Sequence, residues 1–168
     1  MNSMRSNSKI DYAGRTVDLL LLKTVLDVPV VNERVGIDVS NVDGVPMIVS
    51  GVEKMVQRFA LAFINAMGSA RFRPDYGTDL VPQVSKGMVY NMSTLQVEAA
   101  EANLLARTQV IMGDNGEDTP DDERLVASEV VDLEFSRPKA KIKISIKLTT
   151  AAGKSYTYII PVPVGVHS

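Results

Sequence analysis

Carboxylates are the residues of this sequence with the clearest chemical potential. Glycosidases cleave with a pair of Asp or Glu side chains, one acting as an acid and the other as a base or nucleophile. The acids that could form such a pair are Glu53, Asp75, Asp79, Glu123 and Glu129. Glu53 has a sufficient role as a helix cap, and the aromatic residues that build a sugar platform make up only 5% of the chain. The carboxylates therefore favour a non-catalytic protein over a hydrolase.

A second group of acids lies in a stretch that is rich in Gly and ends near a Pro. Its carboxylates are Asp114, Glu117, Asp118, Asp121 and Asp122. Calcium binds such oxygens, but an EF-hand needs ligands at alternate positions and a Glu at the twelfth. The order here does not match that pattern, so a solvated acidic loop is favoured over a calcium site and no metal is expected.

Thiol, imidazole and phosphate chemistry find little support in the sequence. The chain has no Cys, which removes disulfides, thiolate metal sites and thiol nucleophiles. Its single His is His167, next to the last residue, where a triad or metal site would lack a positioned imidazole. No Gly-rich phosphate loop is present. We expect no catalytic residue and no cofactor.

Length and composition indicate one folded domain. The chain has 168 residues, of which 45% are hydrophobic and 23% are charged. The net charge of -2 argues against nucleic acid as a partner, because nucleic-acid binders usually show a basic balance. The longest apolar run is residues 19–22, too short to span a membrane. The polar residues 1–9 lack the apolar region of a signal peptide.

Two helices are predicted from capping and periodicity. Ser50 and Glu53 have capping-box spacing before residues 52–66, and Gly68 follows as a stop. The apolar positions of this first helix are Val52, Met55, Val56, Phe59, Phe63 and Met67. Ser93 and Gln96 begin a second helix that ends at Gly113. Its apolar side contains Leu95, Ala99, Ala102, Ala106 and Val110, widened by Leu104, Leu105 and Ile111.

The helices are separated by a bend with a distinctive composition. Its residues are Arg71, Phe72, Arg73, Pro74, Asp75, Tyr76, Gly77, Thr78, Asp79 and Leu80. Pro74 fixes its own φ and biases Arg73 towards an extended backbone, while Gly77 can adopt a positive φ. We predict a rigid bend in which Arg71 or Arg73 pairs with Asp75, Asp79 or a neighbouring subunit. A purely local turn is the alternative. Pro82 and Gly87 predict an irregular stretch after it, with a helical turn allowed at residues 84–90.

The last third of the sequence predicts an antiparallel meander. Apolar residues alternate with polar ones in three runs, which is typical of strands with one buried face. The apolar positions are Val131, Leu133 and Phe135, then Ile142, Ile144, Ile146 and Leu148, then Tyr156, Tyr158 and Ile160. Turns are predicted at Arg137–Pro138 and Ala152–Gly153, with acids of the first strand opposite lysines of the second. Residues 161–168 include Pro163 and should not continue a central strand.

The N-terminal part is less regular. Residues 1–15 are a polar arm, either disordered or ordered by a partner. Residues 18–26 could be a strand or a helix segment, with extended structure favoured by the many valines that follow. A turn is predicted at residues 41–44 and a short strand at 46–49. The fold class expected is α+β, with the C-terminal meander packed against two main helices and an extended N-terminal arm.

Residues 51–80 resemble one known family. The helix from Gly51 to Phe59 with its Gln57, followed by the Arg73-to-Leu80 bend, is similar to the baseplate wedge and tail sheath initiator proteins of contractile phage tails and injection systems. The upstream segment Asp18-Leu19-Leu20-Leu21-Leu22, the second helix and the C-terminal sheet occur in the same order. The resemblance covers residues 16–162 as one domain, with residues 163–168 as a tail. Where the family often carries Glu-Pro-Arg, this chain has Glu123-Arg124-Leu125 and lacks the proline.

The resemblance implies a structural role at the baseplate of a virion tail, assembled in the host cytoplasm. The implied partners are the tail sheath protein, other baseplate wedge subunits, and tail tube or hub proteins. The resemblance also implies several copies of this chain in each particle, with six as the expected number. We expect sheath assembly to begin by β-strand augmentation, with the arm and residues 155–162 as donors or acceptors. The interaction residues expected are Arg71, Arg73, Pro74, Asp75, Tyr76, Gly77, Leu80, Glu123, Arg124, Tyr156 and Tyr158.

Two other functions remain open at this point. One is a tail completion or neck adaptor protein, which would also be an assembly subunit. The other is a peptidoglycan hydrolase, because some members of the family have been labelled lysozymes. Nothing in the residues quoted above supports carrying that label over to this chain.

Overall fold

The computed structural model describes residues 18–19, 41–42, 45–46, 48–114, 119–136 and 141–163. It confirms the α+β class and the C-terminal antiparallel meander. The predicted arm, the Arg137–Pro138 turn and the last five residues lie outside these ranges. The elements in chain order are β1 (Asp18–Leu19), β2 (Asn41–Val42), β3 (Val45–Pro46), β4 (Ile48–Val49), α1 (Gly51–Ile64), α2 (Leu80–Ser85), α3 (Met92–Gly113), β5 (Leu125–Ser136), β6 (Lys141–Thr150) and β7 (Ser155–Pro163).

The N-terminal strands are short and pair locally. β1 pairs antiparallel with β4, so the extended interpretation of residues 18–26 is confirmed for Asp18 and Leu19. β2 and β3 pair antiparallel on either side of residues 43–44, where the turn was predicted. Residues 20–26 and 43–44 themselves lie outside the described ranges.

Helix α1 forms where predicted, but its ends differ. Ser50 is the N-cap residue, yet its side chain makes no capping hydrogen bond, so the predicted Ser50–Glu53 box is wrong. The helix stops at Ile64 because Asn65 is already extended. Met67 and Gly68 therefore lie in the turn beyond it, with Gly68 at φ +80°.

Helix α3 is capped two residues earlier than predicted. Asn91 Oδ1 accepts a hydrogen bond from the Thr94 backbone N–H at 2.8 Å, and Thr94 Oγ1 accepts one from the Asn91 N–H at 3.2 Å. This reciprocal pair replaces the predicted Ser93–Gln96 box. The predicted buried side is confirmed at Leu95, Ala99, Ala102, Ala106 and Val110. Leu104 and Ile111 do not widen it, because they are exposed.

Helix α2 occupies part of the stretch that Pro82 was expected to keep irregular. Pro82 is the third residue of this six-residue helix. A proline is compatible with the first turn, because backbone N–H groups there have no intrahelical acceptor. Gly87, at φ +72°, follows the end of α2.

The three C-terminal strands form a sheet in the order β5-β6-β7. The buried face of β6 is confirmed at Ile142, Ile144, Ile146 and Leu148. On the other face, Glu134 lies opposite Lys143 and Glu129 opposite Lys147, and the Glu134 carboxylate is 3.6 Å from Lys143 Nζ. The predicted pairing of acids with lysines is confirmed.

One residue of β5 departs from the predicted alternation. The register between β5 and β6 shifts between Val130 and Asp132, which is the mark of a β-bulge. Val131 is 45% exposed, whereas Val130 packs against the core. A single inserted residue reverses the face of every side chain on one side of it. The prediction of a buried Val131 is therefore wrong, while Leu133 and Phe135 still pack against the core.

An aromatic group joins α1 to β7 in the core. The rings of Phe59 and Phe63 stack at 6.0 Å, and the Tyr158 ring meets Phe59 edge-on at 6.3 Å. Burial raises the pKa of Tyr158 well above its usual value. Tyr158 is 3% exposed, so its side chain contributes to the core and is not available to a partner.

Candidate partner-binding surface

Hydrogen bonds of Thr78 connect the inner side of the bend to the end of α1. The Thr78 N–H donates to the Asn65 carbonyl at 2.8 Å, and its hydroxyl donates to the Phe63 carbonyl at 2.7 Å. The Met67 N–H in turn donates to the Thr78 carbonyl at 3.1 Å. The carbonyls at the end of a helix lack intrahelical donors. Thr78 supplies donors to these carbonyls and so joins the bend to the end of α1.

Gln109 of α3 holds the same bend from a second side. Its Oε1 accepts from the Gly77 N–H at 2.9 Å, while its Nε2 donates to the carbonyls of Gly77 at 2.9 Å and Asp75 at 3.1 Å. The predicted rigidity of the bend therefore depends on a residue that the sequence did not single out. Gln109 is one of several polar residues on α3, and nothing in its position signalled this contact.

Gly77 is required by this geometry. Its φ is +105°, and a Cβ at this position would lie 2.5 Å from the Asn65 carbonyl oxygen. Side chains rarely adopt such a φ, and the clashing atom belongs to the backbone and cannot rotate away. The expected positive φ at Gly77 is confirmed.

On the outer side of the bend, two arginines each lie over an aromatic ring. The Arg73 guanidinium lies 4.6 Å from the centre of the Tyr76 ring, and Arg71 lies 5.7 Å from the Phe72 ring. Phe72 is 90% exposed. Within the described residues neither arginine forms the ion pair with Asp75 or Asp79 that was predicted. Each guanidinium instead contacts an aromatic face, a favourable cation–π arrangement.

The remaining predicted residues of the bend divide between inside and outside. Pro74 and Asp75 are exposed, Tyr76 is half-buried, and Leu80 is buried in the core as the first residue of α2. The Tyr76 hydroxyl donates to the Arg58 carbonyl of α1 at 3.5 Å. The bend thus combines an anchored inner side with an exposed outer side that carries two arginines and Phe72.

Glu123 takes the capping role that the sequence suggested for Glu53. Its Oε1 accepts from the Gly51 N–H at 2.9 Å, and its Oε2 lies 3.5 Å from Lys54 Nζ. Both residues are buried, Glu123 at 2% and Lys54 at 8% exposure. A carboxylate at a helix N-terminus is stabilised by the unpaired N–H groups and by the helix dipole. The contact joins residues 72 positions apart, so no local pattern could reveal it.

Arg124, the next residue, contacts groups other than those that Glu123 binds. Its Nη2 lies 2.6 Å from Asp121 Oδ1 at the surface, and its carbonyl accepts from the Ala151 N–H at 2.9 Å. The second contact ties the loop before β5 to the turn between β6 and β7. That turn lies at Ala152 and Gly153, as predicted.

The outer strand β7 directs alternate peptide groups away from the sheet. The Thr150 N–H donates to the Lys154 carbonyl at 2.9 Å, and the register runs without a shift from Thr149–Ser155 to Lys141–Pro163. Antiparallel pairs alternate between hydrogen-bonded and non-hydrogen-bonded. Tyr156 and Tyr158 therefore bond to β6, whereas the peptide groups of Ser155, Thr157 and Ile159 point outward.

Pro161 and Pro163 fall on the same outward positions of β7. A proline there removes no hydrogen bond from the ladder, which is where prolines are tolerated in a sheet. Within the described residues no strand pairs with the outer side of β7. Among the described residues, the outward peptide groups from Ser155 to Ile159 therefore have no strand partner, and the two prolines that follow provide no outward donor.

The other outer strand, β5, is more obstructed. The bulge at Val131 interrupts its edge, and the Ser128 carbonyl accepts from Asn103 Nδ2 of α3 at 3.3 Å. Bulges and covering side chains are common protections of sheet edges. Of the two predicted edge-strand tyrosines, Tyr156 is half-buried and Tyr158 is in the core. What β7 offers a partner is its backbone.

In the described ranges no group of three or more His, Cys, Asp or Glu side chains is placed to hold a metal ion. No helix there combines the length and apolarity needed to cross a bilayer.

Replacing Gly77 by alanine should destabilise the protein by about 2–4 kcal/mol, because strain at a positive φ adds to a backbone clash. Gly87→Ala is the matched control, since Gly87 also has a positive φ but a Cβ there meets nothing within 4 Å. The control should lose only about 1–2 kcal/mol. Chemical denaturation measures both. Equal losses in the two variants would contradict the close approach of Gly77 to Asn65.

Removing the Glu123 carboxylate should leave Lys54 and the start of α1 without their buried partner. We expect Glu123→Ala to lower the free energy of unfolding by about 3–5 kcal/mol. Ser50→Ala, at a cap residue without a capping bond, should change it by less than about 0.5 kcal/mol.

A double-mutant cycle of Glu123→Gln and Lys54→Met isolates the ion pair. The coupling energy should exceed about 1 kcal/mol. Strict additivity of the two single changes would show that Glu123 stabilises the helix N-terminus alone.

Comparison of the chain with protein-family models, curated proteins and solved structures finds no match.

Proposed function

We propose that this chain is a structural subunit of a contractile phage tail baseplate that joins wedge proteins around the tube and starts sheath assembly. Its partners in this proposal are the tail sheath protein, other wedge subunits, and tube or hub proteins. Six copies surround the tube, and assembly takes place in the host cytoplasm. The subunit carries no catalytic activity and needs no cofactor.

The outer edge of β7, which has no strand partner among the described residues, is the observation that carries the proposal. The peptide groups of Ser155, Thr157 and Ile159 point away from β6, so they can pair with a strand of another chain. Strand addition gives affinity through main-chain hydrogen bonds, and it fixes the register of the added chain. A subunit that must start a polymer in register needs this kind of contact.

The neighbouring features limit where that strand can bind. Pro161 and Pro163 remove the outward donors at the end of β7, and the Val131 bulge interrupts the opposite edge. Lys147 of β6 lies directly opposite Thr157, so one basic side chain of the wet face neighbours the β7 edge. The incoming sheath strand accordingly pairs with residues 155–159 and carries acidic or polar side chains on that face.

The bend offers a second contact, to a wedge subunit. Its inner side is held by Thr78 and Gln109, so Arg71, Phe72 and Arg73 are presented on an ordered segment. Binding through an ordered segment avoids part of the entropy loss of ordering a flexible one. An exposed aromatic residue between arginines suits an apolar pocket with an acidic rim.

Substituting proline for Thr157 tests the proposed strand addition at the edge of β7. Thr157→Pro removes an outward N–H and no hydrogen bond to β6, so folding and wedge formation should persist while sheath assembly is lost. Thr157→Ala keeps the N–H and should assemble normally. Ile159→Pro repeats the test at the next outward position if the first variant folds poorly.

The readout is electron microscopy of particles whose only source of this chain is the variant. Baseplates with tubes but without sheath are the expected result. Normal contractile tails from a folded Thr157→Pro variant would refute strand addition at β7.

Particles that lack the chain altogether separate the assembly alternatives. Tubes without sheath support the baseplate role, and complete tails detached from heads would assign the chain to the neck. A turnover assay on peptidoglycan tests the hydrolase alternative, and we expect no release of fragments.

A further inference from the structure

Helix α3 carries an apolar stripe on the side that faces away from the core. Val97, Leu104 and Ile111 are 64%, 52% and 42% exposed, and they recur at intervals of seven residues. The buried side of the same helix begins at Leu95 and ends at Val110. α3 is therefore apolar on two opposite sides, of which one is buried among the described residues and the other is exposed.

The spacing of the stripe fits a helix. Seven residues of α-helix rise about 10.5 Å, which brings each member of the stripe back to nearly the same side. A second helix with the same repeat can meet all three side chains at a shallow crossing angle. The exposed Ala100 between Val97 and Leu104 leaves room for a close approach. An extended strand, with its two-residue repeat, cannot match this interval.

Charge on one border of the stripe indicates which helix would fit. A cleft of about 100 Å³ between α2 and α3 is lined by Asp79, Glu98 and Glu101, together with Leu80, Gln83, Ala102 and Leu105. The ion pairs of the described residues involve none of these three carboxylates. Lysine or arginine side chains beside an incoming apolar stripe would neutralise them.

We propose that the outer side of α3 binds an amphipathic helix of another protein, with basic residues along the border that faces α2. This surface is separate from the β7 edge, so the inference stands independently of the function proposed above. A second copy of α3 is a poor occupant, because Arg107 is the single basic residue in the helix and the acidic borders would repel. The partner thus differs from this chain in charge.

Two synthetic peptides test the proposal on the full chain. Both are helical, with leucines at heptad spacing, and they differ only in carrying Lys or Glu at the flanking positions. The Lys peptide should bind with NMR shifts centred on Val97, Leu104 and Ile111. Its affinity should exceed that of the Glu peptide by about tenfold or more, which corresponds to two or three favourable charge pairs.

Three variants make the test specific. Leu104→Glu should abolish binding of the Lys peptide, and the double change Glu98→Lys with Glu101→Lys should reverse the preference between the peptides. Val126→Glu changes an exposed valine on β5 and should leave binding unchanged. All variants are first compared with the parent chain by circular dichroism and thermal unfolding.

The outcomes that overturn the proposal are distinct. Equal affinity for the two peptides would show non-specific apolar contact, and shifts outside α3 would assign binding to another surface. Absence of binding by either peptide would remove the helix-docking role. Self-association of the free chain that Leu104→Glu abolishes would assign this face to a second copy.

Discussion

The alternation of peptide groups along β6 is the constraint on which the rest of the structure depends. Residues such as Ile146 and Leu148 direct their N–H and C=O groups towards β7, so their neighbours direct theirs towards β5. This alternation determines which peptide groups of β7 point away from the sheet. It also explains how one strand can contain both Pro161 and Pro163 without losing ladder hydrogen bonds. The part of the edge that lacks a strand partner among the described residues is short and has a defined register.

Long-range polar contacts keep the elements around this sheet in place. Glu123 connects the loop before β5 to the start of α1, and Gln109 connects α3 to the bend. Thr78 then connects the bend to the end of α1. Each contact satisfies backbone groups that would otherwise be buried without partners, and such groups are costly to leave unpaired. The result is a scaffold whose exposed segments are ordered before any partner arrives.

Periodicity predicted the fold, while the contacts that order the surface could not be predicted from it. Ile142, Ile144 and Ile146 alternate strictly, so their burial followed from the pattern. Val131 was misassigned because a bulge has no signature in a run of alternating residues. Ser50 and Ser93 are the right residue types for caps, but the capping hydrogen bonds are made by the side chains of Glu123 and Asn91.

The candidate surface shows the same division. Pro74 and Gly77 predicted a rigid bend from local backbone rules, and Gly77 has the positive φ that was expected. Its anchors, Thr78 and Gln109, depend on packing between elements that are distant in sequence. Alternation placed Tyr158 on the buried face of its strand, and its packing against Phe59 confirms this. The same burial makes the Tyr158 side chain unsuitable for the partner contact that was expected of it.

The most direct test of the central claim is amide hydrogen exchange at Thr157 and Ile159, in the free chain and in its complex with sheath protein. Their outward N–H groups should exchange rapidly in the free chain and become protected in the complex. Tyr158 and Ile160, bonded to β6, serve as internal references and should be slow in both states. Protection of Thr157 and Ile159 in the free chain, or rapid exchange at both in the complex, would contradict the account.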